Sequence, residues 1–127
     1  IRPTLEYAAE VWHRGAWEEA EKVQRDMAKR ILGGGQKTTN EAVLGELGWW
    51  RMQTRRDFLM VCYWAKICRM DDSRLIKRVY QERKKAVGKD RSSWCSKVHE
   101  ILHRLDMDDK WLDEDVGSEQ GWKDNMR

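Results

Sequence analysis

One uninterrupted apolar run, FLMVCYWA at residues 58–65, stands in a chain of 127 residues of which 37% are charged. It fixes where a core can form. Eight apolar residues are too short to cross a bilayer, so neither a transmembrane helix nor a membrane partner is expected. With flanking residues it reads as a helix over about 52–70. Phe58, Leu59, Val61, Cys62, Tyr63, Trp64, Ala65, Ile67 and Cys68 wrap most of its circumference. A helix that is apolar nearly all round is buried on all sides, so this one is expected at the centre.

The rest of the chain follows the helical period. A single proline, Pro3, disfavours a turn-rich β fold. Pro3 and Thr4 can open a first helix to Trp12, with Leu5, Ala8 and Trp12 on one stripe, broken by His13, Arg14 and Gly15. A second helix, about 16–32, places Ala20, Val23, Met27 and Ile31 on one face. Its acidic start and basic end suit the helix dipole, and Gly33, Gly34 and Gly35 close it. Thr38 and Glu41 have capping-box spacing ahead of Val43, Leu44 and Leu47, with Gly48 closing that helix. Beyond the central helix, Asp72 or Ser73 can cap a helix to Val87, with Ile76, Val79, Tyr80 and Val87 inward. Ser92 or Ser93 can cap another, with Trp94, Val98, Ile101, Leu102 and Leu105 on one face. Trp111 anchors a tail, and Ser118 can cap a last helix. The expectation is an all-α fold: a compact bundle of about six helices around residues 52–70, forming a single helical domain over 1–127. Eight tryptophans against one phenylalanine supply bulk for its core.

Charge is distributed unevenly. Arg74 to Arg91 carries eight basic residues against two acidic, and Asp106 to Arg127 carries eight acidic against three basic. A basic block beside an acidic tail suits an anionic partner, although solvated helix faces carry the same residues. The basic residues fall into three groups: Arg25, Lys29 and Arg30; Arg51, Arg55 and Arg56; Lys77, Arg78, Lys84 and Lys85. Such groups can neutralise phosphates without reading bases. Three cysteines do not form a disulfide framework, and Cys62 and Cys68 would lie about 9 Å apart along one helix. An intracellular, reducing compartment is expected, nucleus or cytoplasm.

Candidate chemistry is sparse. Asp71 and Asp72 in RMDDS could be drawn as paired metal-binding carboxylates, but between a helix and a serine they read as a turn and cap. Cys95, His99 and His103 match no zinc spacing. GGG at 33–35 lacks the lysine and Ser/Thr of a phosphate loop and follows a helix. The sequence therefore implies no catalytic residue, no metal and no cofactor.

RPTLEYAAEVW, AEKVQRDMAKRILGG, TTNEAVLGELGWW and RRDFLMVCYWAKICRM, in that order and spacing, resemble the C-terminal part of reverse transcriptases from non-LTR (LINE-type) retrotransposons. SSWCSKVHEILHRLDMDDKW resembles the region that follows. In that family the catalytic aspartates belong to the palm, upstream of this region. The resemblance implies a fragment, cut at both ends, of an RNA-directed DNA polymerase. This post-palm part would brace the thumb and touch template or RNA–DNA hybrid, with the rest of the polypeptide as partner. The rival expectation is a stand-alone or host-captured helical interaction module with no nucleic-acid role. Exposed Trp49, Trp50 or Trp111 would mark its docking patch, and exposed tryptophan surfaces would also favour a homo-oligomer.

Overall fold

A computed structural model describes residues 7–12, 17–35 and 37–126. Among these the chain is helical, with no strand: α1 Ala9–Trp12, α2 Glu18–Ile31, α3 Asn40–Glu46, α4 Met52–Cys68, α5 Leu75–Lys85, α6 Trp94–Arg104, α7 Asp108–Asp113 and α8 Glu119–Met126. Packing divides the chain into two units, Gly15–Arg56 and Ile1–Arg14 with Asp57–Arg127.

In the unit Gly15–Arg56, Ala28, Val43 and Leu44 form a small core, with Leu47 and Trp49 packed against it. α2 does not bury the expected stripe. Its buried residues are Ala20, Glu21, Gln24 and Ala28, while Val23, Met27 and Ile31 are exposed. The cause is polar. The Glu21 carboxylate accepts the Gln53 N–H at 2.6 Å, and the Gln24 side-chain amide donates to the Trp50 carbonyl at 2.9 Å. The first N–H groups of α4 have no intrahelical acceptor, and an anionic oxygen there is favoured doubly, by hydrogen bond and by dipole. Turning Glu21 and Gln24 inward carries Val23 and Met27 out.

α2 and α3 end as their glycines suggest. Gly33 and Gly48 take left-handed backbone, φ 64° and 62°. The N–H of Gly34 reaches the Lys29 carbonyl and that of Trp49 the Leu44 carbonyl, the closing bonds of a Schellman turn. The capping box at Thr38 is not formed. Thr39 holds the cap position, without a side-chain bond, so Glu41 lies one residue too early to reach back.

In the other unit α4 supplies Met60, Val61, Trp64, Ala65 and Ile67 to one core, shared with Tyr80, Cys95, Val98, Ile101, Leu102, Trp111, Val116 and Trp122. Trp64 is fully buried. Its ring lies 5.9 Å from Trp111 and 5.8 Å from Trp122, and its N–H donates to the Tyr80 hydroxyl at 3.0 Å. An enclosed indole usually finds an acceptor for its one donor, and Trp64 does so in Tyr80.

The ends of this unit depart from the sequence reading. Residues 1–6 and 13–16 lie outside the described residues, Leu5 and the His13–Gly15 break among them. Ala8 has φ 55°, so it precedes α1 rather than lining its stripe, and Trp12 is partly exposed. α5 begins at Leu75 behind Arg74, with no side-chain cap. Asp71 instead accepts the Ser73 N–H at 2.8 Å within the preceding turn. Ser93 does cap α6, accepting the Ser96 N–H at 3.2 Å. Leu105 is exposed because the helix has already ended there, closed by Asp106 at φ 58°. Trp111 belongs to a helical turn and is buried, and Ser118 caps α8 by accepting the Gly121 N–H at 3.1 Å.

Trp64 and Val79 separate the observed packing from the sequence stripe. Trp64→Ala is expected to cost about 4 kcal/mol, and Val79→Ala no more than about 0.5 kcal/mol. Urea unfolding followed by far-ultraviolet circular dichroism measures both. A large loss at Val79 would restore the sequence reading of α5.

Candidate nucleic-acid interface

Ten basic residues were candidates for phosphate contact, and their surroundings differ sharply. On α2, Arg25 pairs with Glu18 at 2.6 Å, Lys29 is half-buried and Arg30 is exposed. Arg51 is exposed and pairs with Glu41 at 2.6 Å. The Glu41 carboxyl lies below its ordinary value, chiefly through its own backbone N–H, with Arg51 and Arg25 adding to the effect. Arg55 is half-buried. Arg56 is fully enclosed, its guanidinium 5.1 Å from the centre of the Trp17 ring. An arginine packed on an indole inside the protein is a structural residue, out of reach of a phosphate.

α5 sorts its own basic residues by face. Lys77 is 4% exposed. Its ammonium donates to the Cys68 carbonyl at 3.0 Å and lies 3.6 Å from the Glu114 carboxylate. Lys84, two turns on, bonds Glu114 at 2.6 Å and the Trp111 carbonyl at 2.8 Å, with its ammonium 4.9 Å from the Trp111 ring centre. The Tyr80 hydroxyl donates to the same Glu114 at 3.0 Å while accepting from Trp64. Two lysines and a tyrosine thus converge on one carboxylate.

Burial alone would raise the Glu114 carboxyl. The hydrogen bonds from Lys84 and Tyr80, with the charges of Lys84 and Lys77, outweigh it and leave the group below its ordinary value. The neighbours respond in kind. Burial, with Glu114 adding to it, pushes the Cys68 thiol up to about 11, and burial is also the first cause raising Tyr80. Glu114 holds φ 55° at the end of α7, an uncommon backbone for a side-chain-bearing residue. The sequence stripe expected Ile76 and Val79 in this interior, and both are exposed instead. Lys77 replaces them because its long apolar stem can pack while its head reaches Glu114.

Arg78 and Lys85 point outward, both exposed, and Lys85 pairs with Glu82 at 2.8 Å. They stand seven residues apart on one line of α5, and Arg74, the exposed residue that precedes the helix, lies four residues before Arg78. Arg74 was not among the candidates, though its spacing from Arg78 was readable. Glu114 was missed altogether. The only hint in the sequence was an acidic tail following a basic helix.

The groups considered for other chemistry stay apart. Cys62, Cys68 and Cys95 are free thiols, and burial raises all three. His103 lies 2.9 Å and His99 3.8 Å from Asp108. Asp72 accepts from the Gln81 amide at 3.2 Å. Among the described residues no three His, Cys, Asp or Glu side chains are placed to hold a metal ion, and no helix is long and apolar enough to cross a membrane. Comparison with protein-family models, with curated proteins and with solved structures finds no match.

The Glu114 cluster carries a pH signature. Its folded carboxyl is more acidic than that of an unfolded glutamate, so its contribution is complete at neutral pH and is lost as pH falls through and below about 4. Glu114→Ala is expected to cost about 2 kcal/mol at pH 7, because it strands Lys77 and Lys84 partly out of water. Glu114→Gln should reduce the loss of stability on acidification. Urea midpoints between neutral and acid pH measure this, and an unchanged acid dependence would remove Glu114 from the account.

Proposed function

We propose that this chain is a non-catalytic helical part of a LINE-type reverse transcriptase, with α4 as its central helix. It supports the polymerase and touches nucleic-acid backbone without reading bases. RNA or an RNA–DNA hybrid is the anionic partner, and the rest of the polypeptide carries the RNA-directed DNA polymerase chemistry. Two things support the reading. The resemblance rests on motifs in order along most of the chain. The observation that carries the nucleic-acid part is the outer side of α5 and its cap, where Arg74 ahead of the helix and Arg78 and Lys85 on it stand exposed while Lys77 and Lys84 turn inward to Glu114. Side chains of this kind, spaced along one helix face, suit a row of phosphates. The inward pair, with Arg56, leaves the set of contact residues. Arg25, Lys29, Arg30, Arg51 and Arg55 stay as secondary candidates.

One observation favours the rival module. Leu75, Ile76 and Val79 are exposed on α5, and Ile76 and Val79 line an open cavity of about 350 Å³ with Tyr80, Arg83, Trp94 and Cys95. Of the tryptophans expected to mark a docking patch, Trp111 is buried, Trp49 half-buried and Trp50 partly exposed. An apolar patch of this kind suits a protein partner.

Fluorescence anisotropy of an RNA–DNA hybrid across a salt series decides between them. Under the first reading, affinity falls steeply with salt. Arg78→Glu with Lys85→Glu weakens binding and lowers the salt slope by about two, one for each phosphate no longer neutralised. These two positions, unlike Lys77 and Lys84, can be reversed without breaking the Glu114 cluster. Binding that ignores salt, or none at low salt, sinks the nucleic-acid reading and leaves the interaction module.

A further inference from the structure

α2 carries an apolar line that its own unit does not cover. Val23, Met27 and Ile31 follow at four-residue steps and are 47%, 40% and 58% exposed. The buried side of the helix runs through Ala20, Gln24 and Ala28, so the line lies at the edge of the core. Along its outer flank stand Glu19, Lys22, Asp26 and Arg30, at steps of three, four and four residues, all exposed. Opposite charges at those steps can pair along one helix. Among the described residues these four form no ion pair with one another or with any neighbour.

The flank therefore reads negative, positive, negative, positive. In a parallel twofold pair the two flanks fall on opposite sides of the seam and do not meet. Laid antiparallel, every charge meets its opposite: Glu19 faces the partner's Arg30, and Lys22 faces the partner's Asp26. The helix dipoles oppose in the same arrangement, with the acidic start of one helix beside the basic end of the other. A patch that is its own complement under a half-turn is what a twofold dimer requires.

We infer that α2 pairs with α2 of a second copy of this chain, antiparallel, about a twofold axis near residues 24 and 25. Val23 and Met27 pack across the axis, and Ile31 covers the stem of the partner's Glu19. The charged flank sets direction and register, while the apolar line supplies the attraction. Two helices of 14 residues bury less than a standard interface. The dimer is therefore weak, with a dissociation constant on the order of 10–100 µM. This inference stands independently of any nucleic-acid role.

Sedimentation velocity on the full chain, over a concentration series reaching the submillimolar range, tests it. The dimer fraction rises with concentration. Met27→Asp abolishes the dimer, with helical circular dichroism unchanged. Glu19→Arg and Arg30→Glu each weaken self-association about tenfold, since each turns two attractive pairs into repulsions. An equimolar mixture of the Glu19→Arg and Arg30→Glu chains dimerises better than either chain alone, because the reversed charges on the two chains attract one another. Only the antiparallel arrangement predicts that rescue. A monomer throughout the series, a dimer indifferent to Met27→Asp, or a mixture no better than its components would each overturn the proposal, the first by giving the face to some other occupant.

Discussion

The packing of residues 57–127 turns on one carboxylate. Glu114 gathers Lys84, Lys77 and Tyr80, and Tyr80 in turn accepts the N–H of Trp64. Through these bonds the segment after α7 is tied to α5, and α5 to Trp64 of α4. The chain of contacts is self-consistent because each buried polar group finds a partner of opposite character. Removing Glu114 would leave Lys77 and Lys84 without their carboxylate partner, which costs more than the bond itself returns. The two lysine heads also face aromatic rings, Lys77 toward Tyr80 and Lys84 toward Trp111, so their stems and heads are both accommodated.

The same physics explains why two helices present faces other than their apolar stripes. α2 turns Glu21 and Gln24 inward to meet the start of α4 and the chain before it, and α5 turns Lys77 inward to meet Cys68 and Glu114. In each case a polar side chain with a defined buried partner outweighs the burial of valine or isoleucine on the neighbouring line. The displaced apolar residues, Val23, Met27 and Ile31 on α2 and Ile76 and Val79 on α5, become surface. The basic line of α5 arises in the same way, since drawing Lys77 and Lys84 inside leaves Arg74, Arg78 and Lys85 as the outward set.

Much of the candidate interface was legible and its sorting was not. The basic clusters could be read from composition along the chain, and charge on a helix face is a local property. Which lysines meet solvent depends on where Glu114 lies, some thirty residues beyond Lys84, and no local pattern encodes that separation. Arg56 illustrates the same point: in sequence it sits beside Arg55 as one more cation, and only tertiary packing encloses it, with its guanidinium over the Trp17 ring.

What the sequence by itself determined is local. The helical period, the glycines that close α2 and α3, the serines that cap α6 and α8, and the apolar run that makes α4 the source of core side chains all follow from short-range sterics and hydrogen bonding. Tertiary structure alone decided the rotation of α2 and α5 about their axes. It also decided the enclosure of Arg56 and Lys77, and the role of Glu114 as the carboxylate that Lys77, Lys84 and Tyr80 share. A helix forms from contacts within four residues, and its periodicity is visible in any window of the chain. The face it buries is chosen by partners many residues away, and a buried hydrogen bond between charged groups can override the pattern that the window shows.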